Sequence, residues 1–161
     1  MQGQAQKLLQ DALDLFNRRD YKQAIKYAKK AAKVDPSNFF PWGIIADSLF
    51  DLGKYDESIK YYGEELRRNP PKENQVLIWY NIARAYSKYP RCDDVIECCN
   101  IVLSIDVTGY MIKELKNKAK ALREWANNML QQRPNSTVNP FDYVFANSIV
   151  AIEGYDDYVM R

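Results

Sequence analysis

The chain has 161 residues, 47% of them hydrophobic and 27% charged, which suits one folded core rather than a disordered chain or a membrane-spanning one. The net charge is only +2 and there is no histidine, so neither a strongly basic nucleic-acid surface nor histidine chemistry is expected. Three cysteines without framework spacing, and a start lacking the basic-then-apolar pattern of a signal peptide, lead us to expect a cytoplasmic protein.

The first helical pattern holds Leu8, Asp11, Ala12 and Leu15 on one face, at i, i+3, i+4 and i+7. Arg18-Arg19-Asp20 turns the chain, and Tyr21, Ala24, Ile25, Ala28 and Ala31 mark a second helix that closes at Asp35-Pro36. A second pair follows: Trp42, Ile45, Ala46 and Leu49, a break at Leu52-Gly53-Lys54, then Tyr55, Ser58, Ile59 and Tyr62 up to Asn69-Pro70-Pro71. The third pair has Trp79, Ile82, Ala83 and Tyr86, a turn at Tyr89-Pro90-Arg91, then Val95, Ile96, Cys99 and Val102. Residues 110–131 make one more helix, with Leu115, Ala119, Leu122, Ala126 and Met129 on its apolar face. A loop from Gln132 leads to Asn139-Pro140, a good helix start. Phe141, Phe145, Ile149 and Ile152 then share one face of an expected amphipathic helix at about 140–153, followed by the acidic, aromatic tail Tyr155-Asp156-Asp157-Tyr158. We therefore divide the chain into 1–131, an array with a capping helix, and 132–161, a linker, C-terminal amphipathic helix and tail. The final helix has three open placements: packed on helix 110–131, laid in a groove of its own or a neighbouring chain, or ordered only on a partner.

The pairs are repeats of one another. A shift of 34 residues brings Ala12 onto Ala46, Leu15 onto Leu49, Tyr21 onto Tyr55, Ile25 onto Ile59 and Pro36 onto Pro70. A shift of 37 brings Trp42 onto Trp79, Ile45 onto Ile82 and Ala46 onto Ala83, the extra residues falling in the loop around Pro70-Pro71. The pattern resembles the tetratricopeptide repeat, a helix–turn–helix unit of 34 residues. Trp42, Ala46, Tyr55, Ser58, Tyr62 and Pro70 fit its preferences, as do Ala12, Tyr21, Ala24, Ala31 and Pro36. In the third pair Cys92 replaces the turn tyrosine and Val95 a small residue, so its second helix is expected to pack less closely.

That resemblance implies an all-α, right-handed α-solenoid of about three helix-turn-helix units plus the capping and C-terminal helices. It also implies a scaffold or adaptor, not an enzyme, that holds a partner's peptide or helix in a concave groove lined by the first helix of each pair. Mapped by repeat position, the groove residues are Leu9, Leu13, Phe16 and Asn17; then Phe40, Ile44, Asp47, Phe50 and Asp51; then Leu77, Tyr80, Asn81, Arg84 and Lys88. The lining is largely apolar and aromatic, which suits an apolar or helical protein ligand. Family members that bind acidic chaperone C-termini use a Lys/Asn/Arg clamp. Leu9, Leu13, Ile44 and Leu77 take four of those places here and Asn81 the arginine's, so no such clamp is expected. The alternative within binding is self-association as a homodimer, with the C-terminal helix in its own or a neighbour's groove.

Other chemistry is sparse. The cysteines are expected to be buried thiols and not metal ligands, and no Gly-rich phosphate loop occurs, so no cofactor is expected. The adjacent acids Glu64-Glu65 and Asp93-Asp94 diverge on a helix and read as solvated faces or helix starts. The basic stripe Lys22, Lys26, Lys29, Lys30 and Lys33 supplies an alternative of a different class, a surface that binds RNA or an anionic membrane, but it has no aromatic stacking platform in the sequence pattern.

Overall fold

The computed structural model describes residues 2–132. Among the described residues there are seven helices and no strand: α1 (Gln2–Asn17), α2 (Tyr21–Val34), α3 (Phe40–Asp51), α4 (Tyr55–Leu66), α5 (Lys72–Tyr86), α6 (Cys92–Ser104) and α7 (Tyr110–Gln131). The expected helix at 140–153, its Asn139-Pro140 start and the tail lie outside the described residues. The chain forms two compact units, one up to Ile78 and one from Trp79.

In the first unit, α1 pairs with α2 and α3 with α4, and α1 also meets α3. The turns follow from local chemistry. Between α1 and α2, Arg19 takes φ 63°, and the Asp20 N–H donates back to the Leu15 carbonyl at 2.9 Å. Between α3 and α4, Gly53 takes φ 75°, and the Lys54 N–H donates to the Leu49 carbonyl at 2.8 Å. Both turns close their helix with the same left-handed cap; glycine reaches that conformation without the Cβ penalty that Arg19 carries. Asp20 then caps α2, its carboxylate accepting from the Gln23 N–H at 3.3 Å. Asn38 does similar work ahead of α3, accepting from the Phe40 N–H at 3.0 Å, one residue before Pro41 fixes the first turn. Asn69, at φ 49°, closes α4 before Pro70.

The core of this unit is built from small residues at the helix crossings. Ala12, Ala24 and Ala28 are fully buried with Ile44, Ile45 and Leu49, and Leu9, Leu15, Phe16, Ile25, Tyr27 and Tyr61 pack around them. Each alanine removes the bulk that would hold two helices apart. Ser58 replaces alanine at one such crossing, and its buried hydroxyl donates to the Ala46 carbonyl at 2.8 Å, so the polar group is satisfied.

In the second unit α6 packs on α7. Trp79, Ile82, Ala83 and Tyr86 of α5 are buried, as are Cys92, Val95, Cys98, Cys99 and Val102 of α6 and Ile112, Ala119 and Ala126 of α7. Cys92 and Val95 of α6 are both buried, so a thiol and a branched chain fill the volume at these two repeat positions. The Lys116 ammonium donates to the Ile105 carbonyl at 2.7 Å, satisfying a group beyond the end of α6, and Arg123 donates to the Asn100 side chain at 2.8 Å.

Candidate protein-binding face

The residues singled out by repeat position fall on the first helix of each pair, except Lys88, which lies in the turn after α5. On α1, Leu9, Leu13, Phe16 and Asn17 recur at i, i+4, i+7 and i+8, one helical face. Leu13 and Asn17 are exposed, and Leu9 and Phe16 are half-buried against the core. On α3, Phe40 is 52% exposed although it is a large hydrophobic residue, and its ring stacks on Phe39 with centroids 4.2 Å apart. Asp47 and Phe50 are half-buried and Asp51 is exposed. Phe16 and Phe50 are held by tyrosines that open the next helix: Phe16 by Tyr21 at 5.5 Å and Phe50 by Tyr55 at 5.2 Å. Ile44 is buried within the core cluster, so its place is packing rather than ligand-accessible surface.

On α5, Leu77 is exposed and belongs to the first unit. In the second unit Tyr80 is half-buried and Arg84 and Lys88 are exposed. Asn81 is buried, and its side-chain oxygen accepts from Arg84 Nη1 at 3.2 Å.

Polar groups behind the α3 face are unusual. The Tyr62 hydroxyl of α4 donates to Asp47 Oδ1 at 2.5 Å, and burial, then the Asp47 charge, push its phenol far above the ordinary range. Glu65, one turn on, is only 7% exposed. Burial, then the Asp47 charge, raise its carboxyl from 4.5 to about 8. No hydrogen bond to its carboxyl is found within the first unit. The carboxyl occupies space left by Gly43: a Cβ there would stand 2.7 Å from Glu65 Oε1. The expectation of a solvated Glu64-Glu65 pair is therefore corrected for Glu65. Glu64 is half-buried and makes ion pairs with Arg67 at 2.8 Å and Arg68 at 3.0 Å. The sequence signal for the Glu65 site is Gly43, because a glycine inside a helix leaves a hole that a neighbour must fill.

The basic stripe of α2 is exposed throughout. Two tyrosines do accompany it, against the sequence expectation: Lys29 lies 5.7 Å from the Tyr61 ring centre and Lys30 4.9 Å from that of Tyr27. Both rings are half-buried and covered by these lysines, so neither presents a free stacking face. Tyr61 also stacks on Trp42 at 6.0 Å, over which the Arg68 guanidinium lies at 3.8 Å.

The three thiols are free and buried. Burial pushes Cys98 well above the ordinary thiol range. Cys99 rises to about 11, burial outweighing the opposing Arg123 charge, so neither is a ready nucleophile. Among the described residues no group of three or more His, Cys, Asp or Glu side chains is placed to hold a metal ion, and no helix is long and apolar enough to cross a membrane.

A family model described as anaphase-promoting complex, cyclosome, subunit 3 matches residues 2–65, and one described as tetratricopeptide repeat matches residues 45–87. Superkiller complex protein 3 of Homo sapiens is 28% identical over 81 residues, which is 50% of this chain and 5% of that protein. The chain thus spans a small fraction of that relative's length. Among solved structures, the type III secretion translocator chaperone SycD of Yersinia enterocolitica aligns with a TM-score of 0.73 at 12% identity, covering 82% of this chain and 89% of SycD. SycD in complex with a peptide of the translocator YopD aligns at 0.70 and 13% identity, covering 80% of this chain and 94% of that one. At such identities the structural likeness speaks for the fold alone: an all-α arrangement of helical hairpins.

Proposed function

This chain belongs to the tetratricopeptide repeat family and carries that family's all-α solenoid fold, and on that premise we propose that it is an adaptor whose α1 and α3 faces take up a partner's apolar peptide or helix. The observation that carries the reading is Phe40, a phenylalanine half open to water and stacked on a second phenylalanine. Leu13 and Leu77 are also exposed large apolar residues at groove positions in the first unit. Keeping such side chains in water costs about 25 cal/mol for each Å² that a partner would cover, so a ligand gains most from contact there. Asp47 and Asp51 on the same face give the ligand a polar orientation and disfavour an acidic one. The absence of a Lys/Asn/Arg clamp at Leu9, Leu13, Ile44, Leu77 and Asn81 points the same way, away from carboxylate-terminated chaperone tails. Peptide capture by the similarly folded SycD supports the mode without naming the ligand. A role without catalysis fits the family, and the site offers packing surface rather than reactive groups. We place the protein in the cytoplasm, where buried free thiols persist.

The test is capture from lysate with the full chain as bait, in three forms. Leu13→Asp with Phe40→Asp should reduce the captured partner at least tenfold, while Lys29→Glu with Lys33→Glu should leave it within twofold. Circular dichroism confirms that each bait is folded. Loss in the lysine variant with retention in the other would transfer the function to the basic stripe and overturn the proposal.

A further inference from the structure

Glu65 is an acid that the packing of the first unit buries without a donor. It is 7% exposed, and among the described residues of that unit no hydrogen bond reaches its carboxyl. The arginines at the same helix end, Arg67 and Arg68, pair with Glu64 instead. Holding a carboxyl out of water in this way is costly, and a group that brings the missing positive charge recovers that cost. The carboxyl also stands at the candidate face. Phe40, Gly43 and Asp47 recur at i, i+3 and i+7 on one side of α3. Glu65 reaches that side because Gly43 has no side chain; a Cβ there would stand 2.7 Å from Oε1. Asp47 adds a second carboxyl, which accepts from the Tyr62 hydroxyl at 2.5 Å, and Asp51 lies exposed one turn further on.

We infer, on the reading that α1 and α3 form the docking face, that the partner segment held there carries a lysine or arginine whose cation enters between Glu65 and Asp47. One positive charge there answers the burial of Glu65 and the repulsion between the two carboxyls together. A purely apolar ligand would seal Glu65 further from water and leave it without a donor, so it loses to one that brings a cation. The spacing on α3 fixes where the cation sits in the ligand. Along the helix axis Phe40 stands about 4.5 Å from Gly43 and about 10.5 Å from Asp47. On a helical ligand the basic residue therefore falls one to two turns from the apolar residue that covers Phe40. Proton release accompanies binding. Burial, then Asp47, hold the Glu65 carboxyl at about 8, so the cation displaces its proton and binding tightens as pH rises. Asp47 of α3 and Tyr62 of α4 are the titratable groups facing it within the unit, and the Tyr62 phenol lies far above this range. A ligand lysine or arginine keeps its charge throughout.

A displayed library of random short peptides, panned against the full chain, tests this. The baits are the parent, Glu65→Gln, and Leu13→Asp with Phe40→Asp, each confirmed as folded by circular dichroism. Glutamine keeps the shape of Glu65 and removes its charge. The parent should enrich peptides that set a basic residue three to seven positions from an apolar one. The Glu65→Gln bait should enrich apolar peptides without that preference, and the double aspartate bait should enrich neither. An enriched peptide should bind the parent at least tenfold more weakly once its basic residue is norleucine. Its affinity for the parent should rise by at least tenfold from pH 6 to pH 8, and for Glu65→Gln it should stay level. Apolar peptides with no basic preference, bound equally by parent and Glu65→Gln, would overturn the cation and leave the docking face standing. Enrichment that survives Leu13→Asp with Phe40→Asp, or none in the parent, would overturn both.

Discussion

Glu65→Gln is expected to flatten the pH dependence of the melting temperature between pH 5 and pH 9, over which the parent chain loses stability as pH rises. The Glu65 carboxyl is buried in the space left by Gly43 and faces Asp47, so its folded-state value is about 8 against an ordinary 4.5. The folded chain therefore holds this proton more tightly than the unfolded chain does. The stabilisation from that proton is fully present below about pH 4.5 and is lost as pH rises through 8. From pH 5 to pH 9 the linked change is on the order of 3–4 kcal/mol, or on the order of 10 °C in melting temperature for a chain of this size. Glutamine keeps the shape and removes the ionisation. Thermal melts of parent and variant at pH 5, 7 and 9 check this: the two curves should meet near pH 5 and diverge, variant above parent, by pH 9. Parallel slopes would mean that Glu65 ionises freely in the folded chain.

Trp79→Ala should destabilise far more than Trp42→Ala, although the two tryptophans occupy the same repeat position. Trp79 is fully buried, and deleting a buried indole costs about 3–5 kcal/mol through lost transfer energy and the cavity left behind. Trp42 is half-buried, with Tyr61 on its ring at 6.0 Å and the Arg68 guanidinium at 3.8 Å. Arg68 is itself fixed by its Nε donating to the Pro36 carbonyl at 2.9 Å and by bonds to the Glu64 carbonyl and carboxylate. Losing that stack costs about 1–2 kcal/mol, partly offset because Arg68 keeps its other partners. Urea melts of both variants should show Trp79→Ala with the larger midpoint shift by at least twofold. Equal shifts would mean that the indole of Trp42 carries as much packing as that of Trp79.

The helices were legible because their signals are local. Gly53 and Pro70 stop chains in any context, and the spacing of Trp42, Ile45, Ala46 and Leu49 fixes both the helix and its inward face. The small residues Ala12, Ala24 and Ala28 announce close crossings for the same reason. Burial of charge was not legible. Glu64 pairs with Arg67 and Arg68 at i+3 and i+4, a local signal, but only the pairing of α4 with α3 decides that Glu65 faces a glycine. The candidate face was legible in outline. Phe40, Leu13 and Leu77 are exposed at positions taken from repeat register, yet Ile44 and Asn81 at similar positions are buried. Register tells which side of a helix a residue occupies; how far a neighbour covers that side depends on side-chain sizes on another helix, such as Leu9 and Phe16 on α1 packing around the cluster that holds Ile44.

Docking of a partner on the α1 and α3 faces can be read by site-specific crosslinking. A photocrosslinking amino acid placed at Phe40, compared with one placed at Lys30 on the basic stripe of α2, tests it most directly. A discrete crosslinked adduct is expected from position 40 and none from position 30. Adducts arising from position 30, with position 40 silent in a folded chain, would contradict it.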